Sequence, residues 1–142
     1  MSDDPHDLDR FVKAQAADWE TARAELAAGR KTSHWIWYVF PQLAGLGRSA
    51  RARFYGVGSL EEAQAYLADP VLGPRLVEAT RLVCEAEGSA EDILGGIDAK
   101  KLRSSMTLFH RADPSEPVFR RALDRFYGGA EDPETLRLLG LD

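Results

Sequence analysis

Apolar positions recur along this chain at helical rather than strand spacing. Leu8, Phe11, Val12, Gln15, Trp19, Ala22 and Leu26 follow one another at steps of three and four, one face of a 3.6-residue period. Asp7 is a candidate N-cap for this first helix, and Gly29 a candidate stop. Gln15 falls in the middle of the stripe. An enclosed amide without partners costs about 1–3 kcal/mol, so this one is expected to hydrogen-bond a neighbouring segment.

The next stretch, Ser33 to Gln42, is apolar and aromatic without a clean period, and β-propensity leans it towards strand. Pro41 ends it. Glycines 45, 47, 56 and 58 mark a loop-rich connection around Arg48–Tyr55. Ser59-Leu60-Glu61-Glu62 has capping-box spacing and opens a helix to about Ala68, which Asp69-Pro70 breaks. Leu72, Leu76, Ala79 and Val83 share a face of a longer helix, with Pro74 tolerable only near its start. A short helical turn from Ser89 or Ala90 to Leu94 stops at Gly95-Gly96. A helix capped by Asp98 runs to about Arg111, an amphipathic one covers Glu116 to Tyr127, and Pro133–Leu139 is a short helix with proline in first place.

The 142 residues, 44% of them hydrophobic and 29% charged, suit one domain with a core that needs no staples. The whole chain, 1–142, is therefore expected to be a single domain, with 1–6 as a flexible tail. The single cysteine, Cys84, forbids an internal disulfide. No apolar run reaches the ~20 residues needed to cross a bilayer, and the N-terminus is acidic where a signal peptide is basic, so a cytoplasmic location is expected. A net charge of −5 argues against general nucleic-acid binding.

That total hides an asymmetry. Neither Leu26–Leu60 nor Ala99–Ala112 contains an aspartate or glutamate, where an even spread of the 23 acids would put about eight. The same windows hold half of the 18 basic residues: Arg30, Lys31, Arg48, Arg51, Arg53, Lys100, Lys101, Arg103 and Arg111. Positive charge gathered in this way draws an anionic partner to one place. The competing reading is that aromatic core segments exclude acids anyway and leave the arginines solvated.

On the Asp98–Arg111 helix, Leu102, Ser105, Met106 and Phe109 make the buried stripe. Lys101, Ser104 and Leu108 lie on one flank, and Arg103, Thr107 and His110 on the other. Lys101 with Ser104 and Ser105 is the better candidate anion contact, near the positive end of the helix. A Lys101–Ser105 nucleophile pair has the right spacing, but helical serines ordinarily bond an upstream carbonyl. His34, beside Lys31 at the start of the aromatic segment, is the candidate general acid or base. Trp35 and Trp37 can stack on a ring or simply build core. The three histidines and one cysteine have no metal-ligand spacing, so no metal is assigned, and no phosphate-binding glycine fingerprint or other cofactor motif occurs.

The run Gly29-Arg30-Lys31-Thr32-Ser33-His34-Trp35-Ile36-Trp37-Tyr38-Val39-Phe40-Pro41-Gln42-Leu43-Ala44-Gly45-Leu46-Gly47 resembles the signature of the bacterial domain-of-unknown-function 1810 family, whose members are often labelled "calpastatin". Ala65-Tyr66-Leu67, Leu72-Gly73-Pro74-Arg75-Leu76 and Lys101-Leu102-Arg103-Ser104-Ser105-Met106-Thr107-Leu108-Phe109 resemble it too, so the likeness spans roughly Asp7 to Leu139. It implies an all-α fold, a compact multi-helix bundle that is orthogonal rather than up-down, and it turns the expectation for the aromatic segment from strand to helix. It implies no activity. The calpastatin label does not suit an acidic, well-patterned globular chain.

The leading expectation is a domain that binds or processes a small anionic ligand, such as a nucleotide, an ADP-ribose-like molecule or a phosphorylated metabolite. The ligand would lie between the Lys31–Gln42 segment and the Lys101–Thr107 helix. Lys31, Arg48 and Lys101 would attract it, Trp35 or Trp37 would wall it, and Gln42, Ser104 and Ser105 would orient it, with His34 as acid or base. The alternative is a non-catalytic protein-interaction or structural module in which the aromatics are core and the bases are surface.

Overall fold

The longest amphipathic stripe folds as expected. In a computed structural model of the chain, which describes residues 4–141, helix α1 spans Asp9–Ala28 and buries Phe11, Gln15, Trp19, Ala22 and Leu26. Gly29 closes it in the left-handed conformation, φ 76°, which only glycine adopts without strain. The start differs from expectation. Asp7 does not cap the helix; it sits at φ 50°, and the Asp4 carboxylate accepts from the Leu8 and Asp9 amides, both at 2.8 Å. Of the expected 1–6 tail, residues 1–3 lie outside the described residues, and Asp4 is tied to α1 by these bonds.

The aromatic segment becomes a single helical turn, α2 (Ile36–Val39), too short for β-propensity to govern. The amide of Gln15 donates to the Tyr38 carbonyl at 2.6 Å and to the Tyr66 hydroxyl at 3.0 Å. This one side chain therefore joins three segments of the core, the role its place in the stripe predicted. After α2 the chain runs to an isolated parallel bridge between Leu43 and Val57, with α3 (Ala50–Phe54) in the connection expected to be loop.

Ser59 caps α4 (Leu60–Ala68) by accepting from the Glu62 amide, which is half of the expected capping box. The other half is diverted: the Glu62 carboxylate instead pairs with Arg10 at 2.9 Å. Arg10 also donates to the carbonyls of His6, Asp7, Phe54 and Gly56, fastening α1 to the far end of α3. Asp69 turns the chain into α5 (Leu72–Glu85), with Pro74 in its first turn as required. Helices α4 and α5 approach so closely that a Cβ on Gly73 would lie 2.1 Å from the Leu67 carbonyl oxygen.

Helix α6 (Ala90–Leu94) carries a complete capping box from Ser89 and Asp92. Helix α7 (Gly96–Ala112) starts two residues before the expected Asp98, with Gly95 in the cap position. It is the axis of the fold, packing against α4, α6, α8 (Pro117–Tyr127) and α9 (Pro133–Leu139). Enclosure on several sides explains why Ser104 to Phe109 are buried without a break, flanks as well as stripe. Its polar members satisfy themselves locally where they can: Thr107 donates to the Arg103 carbonyl at 2.8 Å and Ser104 to that of Lys100 at 3.2 Å. The described residues thus form nine helices and no sheet, and none of the helices is long and apolar enough to cross a membrane.

Candidate functional site

The site is set by how the chain leaves α1. Glu25, in the last turns of that helix, accepts from the Thr32 amide at 2.7 Å, the Ser33 amide at 2.9 Å, the Ser33 hydroxyl at 2.6 Å and the Trp35 indole N–H at 3.0 Å. Burial works against the charge, but the bonds from Ser33, Thr32 and Trp35 outweigh it and hold the carboxyl down at about 2. Between these anchors the Lys31 amide donates to the Ile93 carbonyl at 2.7 Å, which brings the segment against α6 and the start of α7.

There the two acid-poor windows meet. Lys31 Nζ lies 2.7 Å from Asp98 Oδ2, with only 7% of its side chain exposed, and Lys101 Nζ lies 3.6 Å from Asp98 Oδ1. One carboxylate, expected as a helix cap, thus serves a cation from each window. The ammonium of Lys31 is also 5.1 Å from the ring centroid of Trp35, and that of Lys101 is 5.0 Å from Trp37. A third cation joins them: the Arg51 guanidinium is 4.9 Å from the Trp37 centroid and has no carboxylate partner among the described residues. Arg51 and Lys101 are consequently within about 10 Å of one another.

Two cavities flank this cluster. The first, about 600 Å³, is lined by Gln42, Leu46 and Gly47 on one side and by Lys100, Lys101, Arg103 and Ser104 of α7 on the other. Tyr127 closes part of it and donates its hydroxyl to the Ala99 carbonyl; burial raises the pKa of that hydroxyl, so it stays protonated. Glu91, Asp132 and Glu134 also line it, but two of these carboxylates are engaged: Asp132 accepts from Thr135 and Ser104, and Glu134 from Arg137. Arg103 is held as well, donating to the carbonyls of Ala130 and Glu131. The second cavity, a groove of about 570 Å³, is lined by Ala14, Asp18, His34, Tyr38, Arg51, Phe54 and Tyr55 among others.

The expected site residues therefore divide. Lys101, Gln42 and Ser104 share the first cavity, and Trp37 adjoins it through Lys101. Lys31 is beside them but paired with Asp98. Trp35 is wholly buried with its N–H on Glu25, which makes it core and leaves no face for stacking. Ser105 is fully enclosed and its hydroxyl has no partner among the described residues, so it faces neither Lys101 nor the cavity. Arg48 is exposed in the turn before α3 and lines neither cavity. His34 is exposed and belongs to the groove, apart from Ser104. Among the described residues no group of three or more His, Cys, Asp or Glu is placed to hold a metal ion.

Sequence reasoning missed Arg51, Asp98 and Asp18. Arg51 was visible as one of the five bases in the first acid-poor window, but nothing in the spacing distinguished it from Arg48 or Arg53. Asp98 has only the sequence signature of a cap, and Asp18 sits between Ala17 and Trp19 on α1 with no motif around it.

Fold and site together describe an all-α chain whose helices frame a cation cluster at two indoles and two open cavities. Residues 5–139 match the family model described as a protein of unknown function, DUF1810, and the chain belongs to that family. It is also similar to a solved structure, the conserved hypothetical protein Rv1873 from Mycobacterium tuberculosis, at 53% identity over 97% of this chain and 99% of that one, with a TM-score of 0.94. None of the curated proteins matches it.

Proposed function

We propose that this protein binds a small anionic ligand in the cavity between Gln42–Gly47 and the first half of α7. The observation that carries this reading is the uneven charge around the two indoles. Lys31, Lys101 and Arg51 gather there against two carboxylates, Asp98 between the two lysines and Glu25 on the Trp35 N–H. Lys31 takes the short contact to Asp98 and leaves Lys101 with a long one, so Lys101 is the cation best able to accept a phosphate or carboxylate. Gln42 and Ser104 supply neutral polar groups from the two sides of the cavity.

Thermal shift with a panel of nucleotides, ADP-ribose and sugar phosphates tests it. A ligand at about a hundred times its Kd adds about 2.7 kcal/mol to the folded state, a rise of several degrees in Tm. The rise should disappear in Lys101→Ala. A Tm unmoved by the whole panel contradicts the proposal.

The second reading is a non-catalytic interaction or structural module. It is favoured by the balance of Lys100, Lys101 and Arg103 against Glu91, Asp132 and Glu134 on the cavity wall, and by the enclosed position of Trp35. On that reading Lys101→Ala alters partner capture and leaves every small-molecule titration flat.

A further inference from the structure

The groove beside His34 is a different kind of surface from the cavity. Small side chains line part of it: Ala14 and Ala17 from α1 and Ala50 from α3. The rest is a run of aromatic rings in contact: Tyr38 and Tyr55 lie with ring centroids 5.1 Å apart, and Tyr55 meets Phe54 edge-on at 4.8 Å. Phe54 is 57% exposed, and nothing in the fold requires a phenylalanine to stand in solvent there. Tyr55 and Tyr38 are instead packed against the core cluster, so these two rings are held in place before anything enters.

The polar groups on this lining are few and of opposite kinds. Asp18 accepts the Tyr38 hydroxyl through Oδ2, with no partner on its other oxygen among the described residues. Burial, the Asp18 bond and the Asp18 charge, in that order, raise the Tyr38 pKa, so the hydroxyl remains a donor. Arg51 supplies a guanidinium that also lies against Trp37, whose ring carries Lys101. An exposed aromatic ring beside small side chains leaves room for a flat ring to stack, and such stacking tolerates any base. The free carboxylate oxygen selects a ring that donates. The guanidinium selects a ligand with a negative group on the side of the cation cluster.

We propose that the groove receives the amino-bearing heteroaromatic ring of the same ligand whose anionic group is drawn to Arg51 and Lys101. The ligand class is then a nucleotide with an exocyclic amino group, such as an adenine nucleotide, and not a simple sugar phosphate. This rests on the anion-binding reading given above and narrows it. Arg51 and Lys101, no more than about 10 Å apart, are within the span of one nucleotide or dinucleotide.

Calorimetric titration of the full chain with AMP, IMP and ribose 5-phosphate separates the two claims. AMP is expected to bind about tenfold or more tighter than ribose 5-phosphate, the usual scale of one base stacked on an aromatic ring. It should also exceed IMP, which offers a carbonyl where AMP donates to Asp18. Phe54→Ala should remove the AMP advantage and leave ribose 5-phosphate unchanged, and because Phe54 is exposed the variant keeps its core. Asp18→Asn should bring AMP and IMP together. Lys101→Ala should weaken all three. Equal affinity for AMP and ribose 5-phosphate, with Lys101→Ala still weakening both, overturns the ring site alone. No heat from any of the three overturns the ring site and the anion site together.

Discussion

Replacing Glu25 by glutamine keeps the side chain's shape and removes its charge, which isolates what holds the Lys31–Trp35 segment in place. Three donors converge on Glu25 Oε1 and a fourth on Oε2. Hydrogen bonds to a charged acceptor are roughly twice as strong as neutral ones. The lowering from 4.5 to about 2 corresponds to about 3 kcal/mol if taken whole. Glu25 is partly open to solvent, and screening brings the figure down to about 2 kcal/mol. Because the folded-state pKa is depressed, this contribution is complete above the unfolded value of 4.5 and is lost as pH falls towards about 2. Urea unfolding followed by circular dichroism measures it. At neutral pH Glu25→Gln should be destabilised by about 2 kcal/mol, and the gap from the parent protein should shrink steadily below about pH 4.5. A gap of the same size at neutral and strongly acidic pH, or none at neutral pH, refutes the clamp.

Further outcomes follow from individual contacts. Arg10→Ala removes a largely buried cation that joins Glu62 to four backbone carbonyls, and should cost about 3–5 kcal/mol in denaturant unfolding. Gln15→Leu leaves the Tyr38 carbonyl and the Tyr66 hydroxyl short of their partner and should cost about 1–3 kcal/mol by the same measurement. Gly73→Ala forces α4 and α5 apart at the Leu67 carbonyl and should lower stability by about 1–3 kcal/mol. Lys31→Met frees Asp98 to pair with Lys101 alone. Affinity for a phosphorylated ligand should then fall several-fold in calorimetry although Lys31 itself is buried, and unchanged affinity would show that Lys101 does not depend on this sharing.

Helices were legible wherever the 3.6-residue period ran for three turns or more. Trp19, Ala22 and Leu26 announce α1, and Gln15 even announced its own hydrogen bonds. Local rules failed where another residue made the stronger contact. Asp7 has the right chemistry for a cap, yet Asp4 holds the α1 amides. Glu62 has the right spacing for a capping box, yet Arg10 is the stronger partner. The aromatic run gave no period because it is a single turn enclosed by other elements. At the site, the acid-poor windows pointed to a real juxtaposition, since Lys31 and Lys101 share Asp98. Composition could not say which cations are neutralised, which indole is core, or that His34 and Ser104 face different cavities. Those are properties of side-chain direction, fixed only once α7 is enclosed.

The most direct measurement is the position of AMP in crystals of the protein soaked with it. Phosphate density within hydrogen-bonding reach of Lys101 Nζ, in the space between Gln42 and Ser104 or beside Arg51, is the expected result. Ordered AMP seated elsewhere, or crystals in which both cavities hold only solvent at saturating AMP, would contradict the assignment of this cluster as a ligand site.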